Sequence, residues 1–186
     1  MSDSALLVID VQESFRRAPY WSDDDVAPFT ARLQTLIDGA SAQGIPVLQV
    51  FHTSETGHFS TASGFVRTLS PISVLPKAVF YKSKHSALIG TGLDVWLTEH
   101  RIRRLIVSGI RTEQCCETTT RHASDRGWAV DYVTEATLTF AMTSSNGHRY
   151  SPEDIKARTE LVLADRFARI ATVEEAIAGS DRRVTA

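Results

Sequence analysis

Short apolar runs alternate along this chain with longer stretches whose apolar residues recur at helical spacing. Ala5–Ile9 is apolar at every position and stops at Asp10. Ile45–Phe51, Ala78–Tyr81, Leu105–Ser108, Ala129–Val133 and Ala168–Ala171 share that short, apolar character, which predicts strands. Between the first two, Val26, Phe29, Leu33, Leu36, Ile37 and Ala40 fall on one face of a helix, and Gly44 and Pro46 stop it. Leu93, Trp96 and Leu97 mark a short helix. Thr112 is placed to cap another, which runs through Arg126 and ends at Gly127. Ile155, Thr159, Val162, Leu163 and Phe167 mark a helix opened by Ser151 and Pro152, and Val173–Ala178 a terminal one. Gly109 is expected to end the fourth strand.

Strands with no polar face, alternating with helices, predict a parallel sheet covered on both sides. There is no internal repeat and no low-complexity linker. Segments 53–76 and 137–151 are long, polar and rich in Ser, Thr and Gly. Loops of that length in a compact domain are often lids or binding loops.

Composition narrows the picture. A chain of 186 residues fits one domain, 1–186, and can bury a core without disulfides or metals. With 42% hydrophobic and 23% charged residues it is globular, not disordered. A formal net charge of −2 without a basic patch argues against nucleic acid or an anionic membrane as partner. No signal-type segment or run of transmembrane length is present, so the expected location is the cytoplasm. Cys115 and Cys116 are the sole cysteines. Adjacent Cα atoms lie about 3.8 Å apart, below the roughly 4.4–6.8 Å that disulfides prefer, so both are expected as reduced thiols.

In open parallel sheets, ligands bind beyond the carboxyl ends of the strands. Asp10, Lys82 and the segment Gly109–Cys115 all fall there. Each has an ordinary alternative: a turn cap for Asp10, a solvated cation for Lys82, a small buried hydrophobe for Cys115. In the first turn of a helix capped by Thr112, the Cys115 sulfur would be stabilised as a thiolate. Cys116, about 100° further round, is expected to face the core.

Taken together, LLVIDVQESF at 6–15, Lys82 with SALIGTGL at 86–93, and SGIRTEQCCETTTRHA at 108–123 resemble the isochorismatase-like cysteine hydrolase superfamily, which includes nicotinamidases and N-carbamoylsarcosine amidase. Leu88, Glu113 and Cys116 depart from the family's Phe, Asp and Val. The resemblance implies an α/β fold, a Rossmann-like three-layer sandwich around a mostly parallel six-stranded sheet. It selects Cys115 as nucleophile with Asp10 and Lys82 as partners. It also implies a cis peptide at Ile110–Arg111 and an oxyanion hole from the backbone N–H groups of Arg111 and Cys115. Gln12, Phe15, His52 and His58 become the candidate pocket residues. Asp10 would take the Cys115 proton, the thiolate would attack a carbonyl, and Asp10 would then activate water to clear the thioester.

The implied activity is hydrolysis of a C–N bond in a small amide, carbamoyl or related substrate. The alternatives are an isochorismatase-type vinyl-ether hydrolase and a non-catalytic interaction module. A dinucleotide oxidoreductase is disfavoured because DVQESF, not a glycine-rich turn, follows the first strand. The resemblance also suggests a homodimer or homotetramer. Phe59, Phe65, Phe140 and Tyr150, in expected loops, would need cover. Nicotinamidases hold a metal through Asp-x-His and a second His six residues on. Here His52 and His58 keep that spacing but Val50 replaces the acid, so no metal or other cofactor is expected. The two imidazoles are expected either at the pocket mouth or on a polar loop.

Overall fold

The computed structural model describes residues 2–179. The range 1–186 extends past these at both ends, and Met1 and residues 180–186 lie outside the described part. Six strands, β1 (Ser4–Ile9), β2 (Val47–His52), β3 (Ala78–Lys82), β4 (Arg104–Ile110), β5 (Ala129–Leu138) and β8 (Arg169–Ile170), form one parallel sheet in the order β3-β2-β1-β4-β5-β8. Helices α1 (Val26–Ala42) and α5 (Val173–Ala178) cover one face, and α2 (Leu93–Glu99), α3 (Glu117–Asp125) and α4 (Pro152–Leu163) the other.

β1 shows why the apolar runs have no polar side. Leu6 and Val8 pack into one core with Phe29, Leu33 and Leu36 of α1, while Leu7 and Ile9 pack into the other with Leu93, Leu97 and Cys116. Successive side chains point to opposite faces, and both faces are covered. Each such buried Leu, Val or Ile stabilises the fold by roughly 1.5–3 kcal/mol. The chain runs from β1 outward to β3 and then returns to β4 on the other side. The carboxyl ends of β1 and β4 therefore flank the point where strand order reverses, the natural crevice of an open sheet.

Two strands outrun their expected ends. β4 continues through Gly109 to Ile110. Gly109 is required there because its φ is +129° and a Cβ would come within 2.0 Å of the Ile9 carbonyl oxygen. The close approach brings the end of β1 against the end of β4. β5 continues past Val133 to Leu138, with the register against β4 shifting between Val107 and Gly109. The loop expected at 137–151 therefore starts later, and it holds a small hairpin of β6 (Met142–Thr143) and β7 (Arg149–Tyr150). Segment 53–76 is anchored to the body: Thr68 pairs with Gln12 and accepts a hydrogen bond from Gln49, while Leu69 is fully buried. No helix among the described residues is long and apolar enough to cross a membrane.

Candidate active site

Three strand ends deliver three side chains to one point. Asp10 follows β1 with φ +54°, a left-handed conformation that Asp tolerates better than most residues. Lys82 is the last residue of β3, and its backbone carbonyl accepts from Thr53 N–H at 2.8 Å. Cys115 lies beyond β4. The Lys82 ammonium donates to Asp10 Oδ2 at 2.7 Å and to Cys115 Sγ at 3.2 Å, and its third neighbour is His52 Nδ1 at 3.3 Å. An ammonium has three protons to donate and no acceptor. His52 Nδ1 must therefore accept, which assigns the neutral Nε2–H tautomer. Burial, helped by Lys82 and His85, lowers the His52 pKa to about 4, in keeping with a neutral ring.

The electrostatics of the trio follow from its dryness: Asp10, Lys82 and Cys115 are all buried. Burial raises the Asp10 carboxyl above its ordinary range, and Lys82 pulls it part of the way back. The same burial disfavours the Lys82 ammonium, but the adjacent Asp10 carboxylate opposes it and holds Lys82 charged. Burial, reinforced by Asp10 and opposed by Lys82, pushes the Cys115 thiol up to about 12. The resting group is thus a thiol. Asp10 Oδ1 is buried and accepts no hydrogen bond among the described residues, leaving one free lone-pair site next to a protonated sulfur.

This corrects the expected stabilised thiolate. Thr112 does not cap a helix: no side-chain cap bond is present, and its hydroxyl pairs instead with Thr137 Oγ1 at 2.8 Å. Residues Thr112–Cys116 form one wide π-type turn, and α3 begins only at Glu117. Cys115 therefore precedes the helix, and the dipole has less hold on it than burial does. The turn is fixed from β5, since Tyr132 Oη donates to the Thr112 carbonyl at 2.7 Å. The 86–88 segment is fixed to the same helix: Ala87 N–H donates to Thr119 Oγ1 at 3.0 Å, and Ser86 Oγ meets His122 Nδ1 at 2.8 Å. Lys82 and Cys115 are thus held on one scaffold. Cys116 is fully buried in the core.

The Ile110–Arg111 peptide is cis. Gln12 and Phe15 do not present free groups to a pocket. Gln12 is fully buried, its amide accepting from His52 N–H at 2.8 Å and donating to the His52 carbonyl at 3.0 Å and Ser14 Oγ at 2.9 Å. It braces β1 against β2 and so holds His52 in place. Phe15 is buried in the core and meets Phe59 edge-on at 5.1 Å. His58 is half-buried against Phe59, away from the Lys82 contact that His52 makes. His85 went unnoticed in the sequence. It is exposed, with Nδ1 3.9 Å from Cys115 Sγ, and lies three residues after Lys82, where a surface position was the natural reading.

The metal set of nicotinamidases does not fit these residues. Val50 is a buried core residue of β2, and His52 Nδ1 is turned to an ammonium, which no cation would share. Among the described residues no three His, Cys, Asp or Glu side chains converge as a metal-binding group.

The model of the isochorismatase domain matches residues 4–175, nearly the whole sheet and both helical layers. The chain belongs to the isochorismatase family. This isochorismatase-family hydrolase is similar to the isochorismatase family protein YrdC of Bacillus subtilis (strain 168), with 26% identity over 93% of this chain and 94% of that one. It is also similar to nicotinamidase 3 of Arabidopsis thaliana, with 29% identity over 74% of each. Among solved structures, a candidate isochorismatase from Burkholderia xenovorans LB400 superposes with a TM-score of 0.86 at 32% identity, covering 95% of this chain and 86% of that one. A cysteine hydrolase from Pseudomonas syringae pv. phaseolicola 1448A shares the fold, with a TM-score of 0.85 at 21% identity over 96% and 93% of the two chains.

Proposed function

We propose that this isochorismatase-family hydrolase cleaves a C–N bond of a small amide, carbamoyl or related substrate through a covalent intermediate on Cys115. The observation that carries the reading is the single ammonium of Lys82 bridging Asp10 Oδ2 and Cys115 Sγ in a buried site. A protonated thiol beside a carboxylate of raised pKa is a nucleophile and base waiting for an electrophile. As Cys115 attacks the carbonyl carbon, its proton passes to Asp10. The Lys82 ammonium stays in place and offsets the negative charge as it moves from the Asp10 carboxylate to the sulfur and on to the carbonyl oxygen. The carbonyl oxygen takes up charge beside the Arg111 and Cys115 backbone N–H groups. Asp10 returns the proton to the leaving nitrogen, then removes one from the water that releases the acid. The nicotinamidase relative and the cysteine hydrolase of similar fold support this chemistry over vinyl-ether cleavage.

The test is a panel of small amides, carbamoyl compounds and lactams assayed for ammonia, amine or acid release, with Cys115→Ala as control. Turnover of at least one C–N substrate that vanishes in the control is expected. Release that survives in Cys115→Ala, or cleavage of vinyl ethers alone, contradicts the reading.

A further inference from the structure

Two arginines in this protein show what a guanidinium does when a carboxylate is within reach. Arg32 uses Nε and Nη2 to hold the two carboxylate oxygens of Glu135, at 3.0 and 2.6 Å. Arg169 uses the same two atoms on Asp131, at 2.8 and 2.7 Å. These atoms form the side-on fork that matches a carboxylate bidentately. On Arg111 the same fork makes no hydrogen bond: Nε and Nη2 are both buried and neither has a hydrogen-bond partner among the described residues, although the Glu113 carboxylate forms an ion pair with Nη2.

The residue is only 7% exposed, and leaving buried donors of a charged group without hydrogen bonds is costly. Its surroundings hold it in this state. The Tyr20 and Phe140 rings flank the guanidinium, their centroids 4.9 and 5.8 Å from Cζ. Glu113 Oε1 approaches Nη2 to 3.0 Å but in an orientation that makes no hydrogen bond. Glu113 is held off because its other oxygen, Oε2, accepts from Thr139 Oγ1 at 2.6 Å. Glu113 thus balances the Arg111 charge without hydrogen-bonding its fork, and Oε1 is left without a hydrogen bond beside donors that have none.

This side chain belongs to the residue that anchors the catalytic turn. The Arg111 carbonyl accepts from Gln114 and Cys116 N–H in the turn that carries Cys115. Tyr20 is 41% exposed, and burial of the rest of it raises its hydroxyl above the ordinary range, with Arg111 drawing it back and Cys115 and Glu113 raising it. We propose that the Arg111 side chain is a specificity-determining residue that grips a carboxylate of the substrate, so that the compounds cleaved are amides or carbamoyl compounds bearing a carboxylate. This rests on the C–N hydrolase reading of the same site. The Tyr20 ring covers the fork and moves aside as the substrate enters. Glu113 Oε1 then accepts an N–H of the substrate where one adjoins the carboxylate.

The test compares matched pairs, malonamate, succinamate and glutaramate against the neutral propionamide, butyramide and valeramide, with wild type, Arg111→Met and Arg111→Lys. Arg111→Met removes the fork but keeps the backbone N–H, and Arg111→Lys keeps the charge without the fork. In wild type, kcat/KM for the best carboxylate member should exceed that of its neutral partner by about tenfold or more. The preference should collapse towards unity in Arg111→Met, mainly through KM, and return only in part in Arg111→Lys. Calorimetric binding of the same carboxylates to Cys115→Ala, with and without Arg111→Met, reads the fork independently of turnover. Binding lost with Arg111 supports the carboxylate site even if no C–N bond is cleaved, in which case the proposed reaction fails alone. Equal turnover of neutral and anionic members, a preference that survives Arg111→Met, or no binding of any carboxylate overturns the inference.

Discussion

The chemistry of this site turns on where one proton rests. A thiol pushed up to about 12 carries little thiolate at neutral pH. Iodoacetamide should therefore label Cys115 slowly near pH 7 and faster through pH 9 and beyond, with Cys116 unlabelled in the native protein because it is fully buried. A labelling rate that has already levelled off by pH 7, followed by peptide mass spectrometry, would show a resting thiolate instead. Asp10→Asn should lower turnover by roughly 10²–10⁴-fold, the usual worth of a general base. Lys82→Ala should be as severe, since it leaves a buried carboxylate without its cation. Combining Asp10→Asn with Cys115→Ala should add little to Cys115→Ala alone, because the two act as a unit; additive losses in steady-state assays would separate them. At this scale the sequence was informative about which residues matter and less so about their state. Asp10, Lys82 and Cys115 stand in motifs, whereas the protonation of Cys115 follows from burial that only tertiary packing creates. Arg111 was read for its backbone alone. That its fork makes no hydrogen bond depends on Thr139 restraining Glu113, a contact across 26 residues.

The elements explain why those residues meet. Gly109 lets β1 and β4 close on each other, so Gly109→Ala should lower the melting temperature sharply, by a loss of about 3 kcal/mol or more, since the new Cβ meets backbone and not a movable side chain. Circular dichroism melts within 1 °C of wild type would refute this. The alternation of runs made β1, α1, β2 and β3 legible, because each has one simple period. β5 was not: its second half carries Thr134, Glu135 and Thr137, which look like loop. They are tolerated in a strand because Glu135 is paired with Arg32 and with Val173 N–H, and Thr137 with Thr112. The Thr112 cap failed for a related reason, as that hydroxyl had a better partner far along the chain. A local rule yields wherever a distant residue satisfies the same atom.

For the whole molecule, the sheet order places its reversal between β1 and β4 and so fixes the site at their carboxyl ends. Because the histidine spacing lacks its acid, chelation should leave activity and melting unchanged. Activity lost to chelator and restored by zinc or iron would contradict that. We also propose a homodimer or homotetramer. The aromatic residues first thought to need cover are largely served within the chain, Phe140 by Tyr20 and Trp21 and Phe59 by Phe15, but Leu75 and Leu161 stand 95% and 80% exposed. Light scattering at micromolar concentration should report more than one copy, and a monomer would count against it. The central claim, a covalent intermediate on Cys115, is tested most directly by acid-quenched intact-protein mass spectrometry during turnover of a C–N substrate, with the adduct mapped by peptide. The account predicts an adduct with the mass of the substrate's acyl group on Cys115, absent in Cys115→Ala and slow to form in Asp10→Asn. Turnover without any adduct while the quench captures other intermediates, or an adduct forming at the wild-type rate in Asp10→Asn, would contradict it.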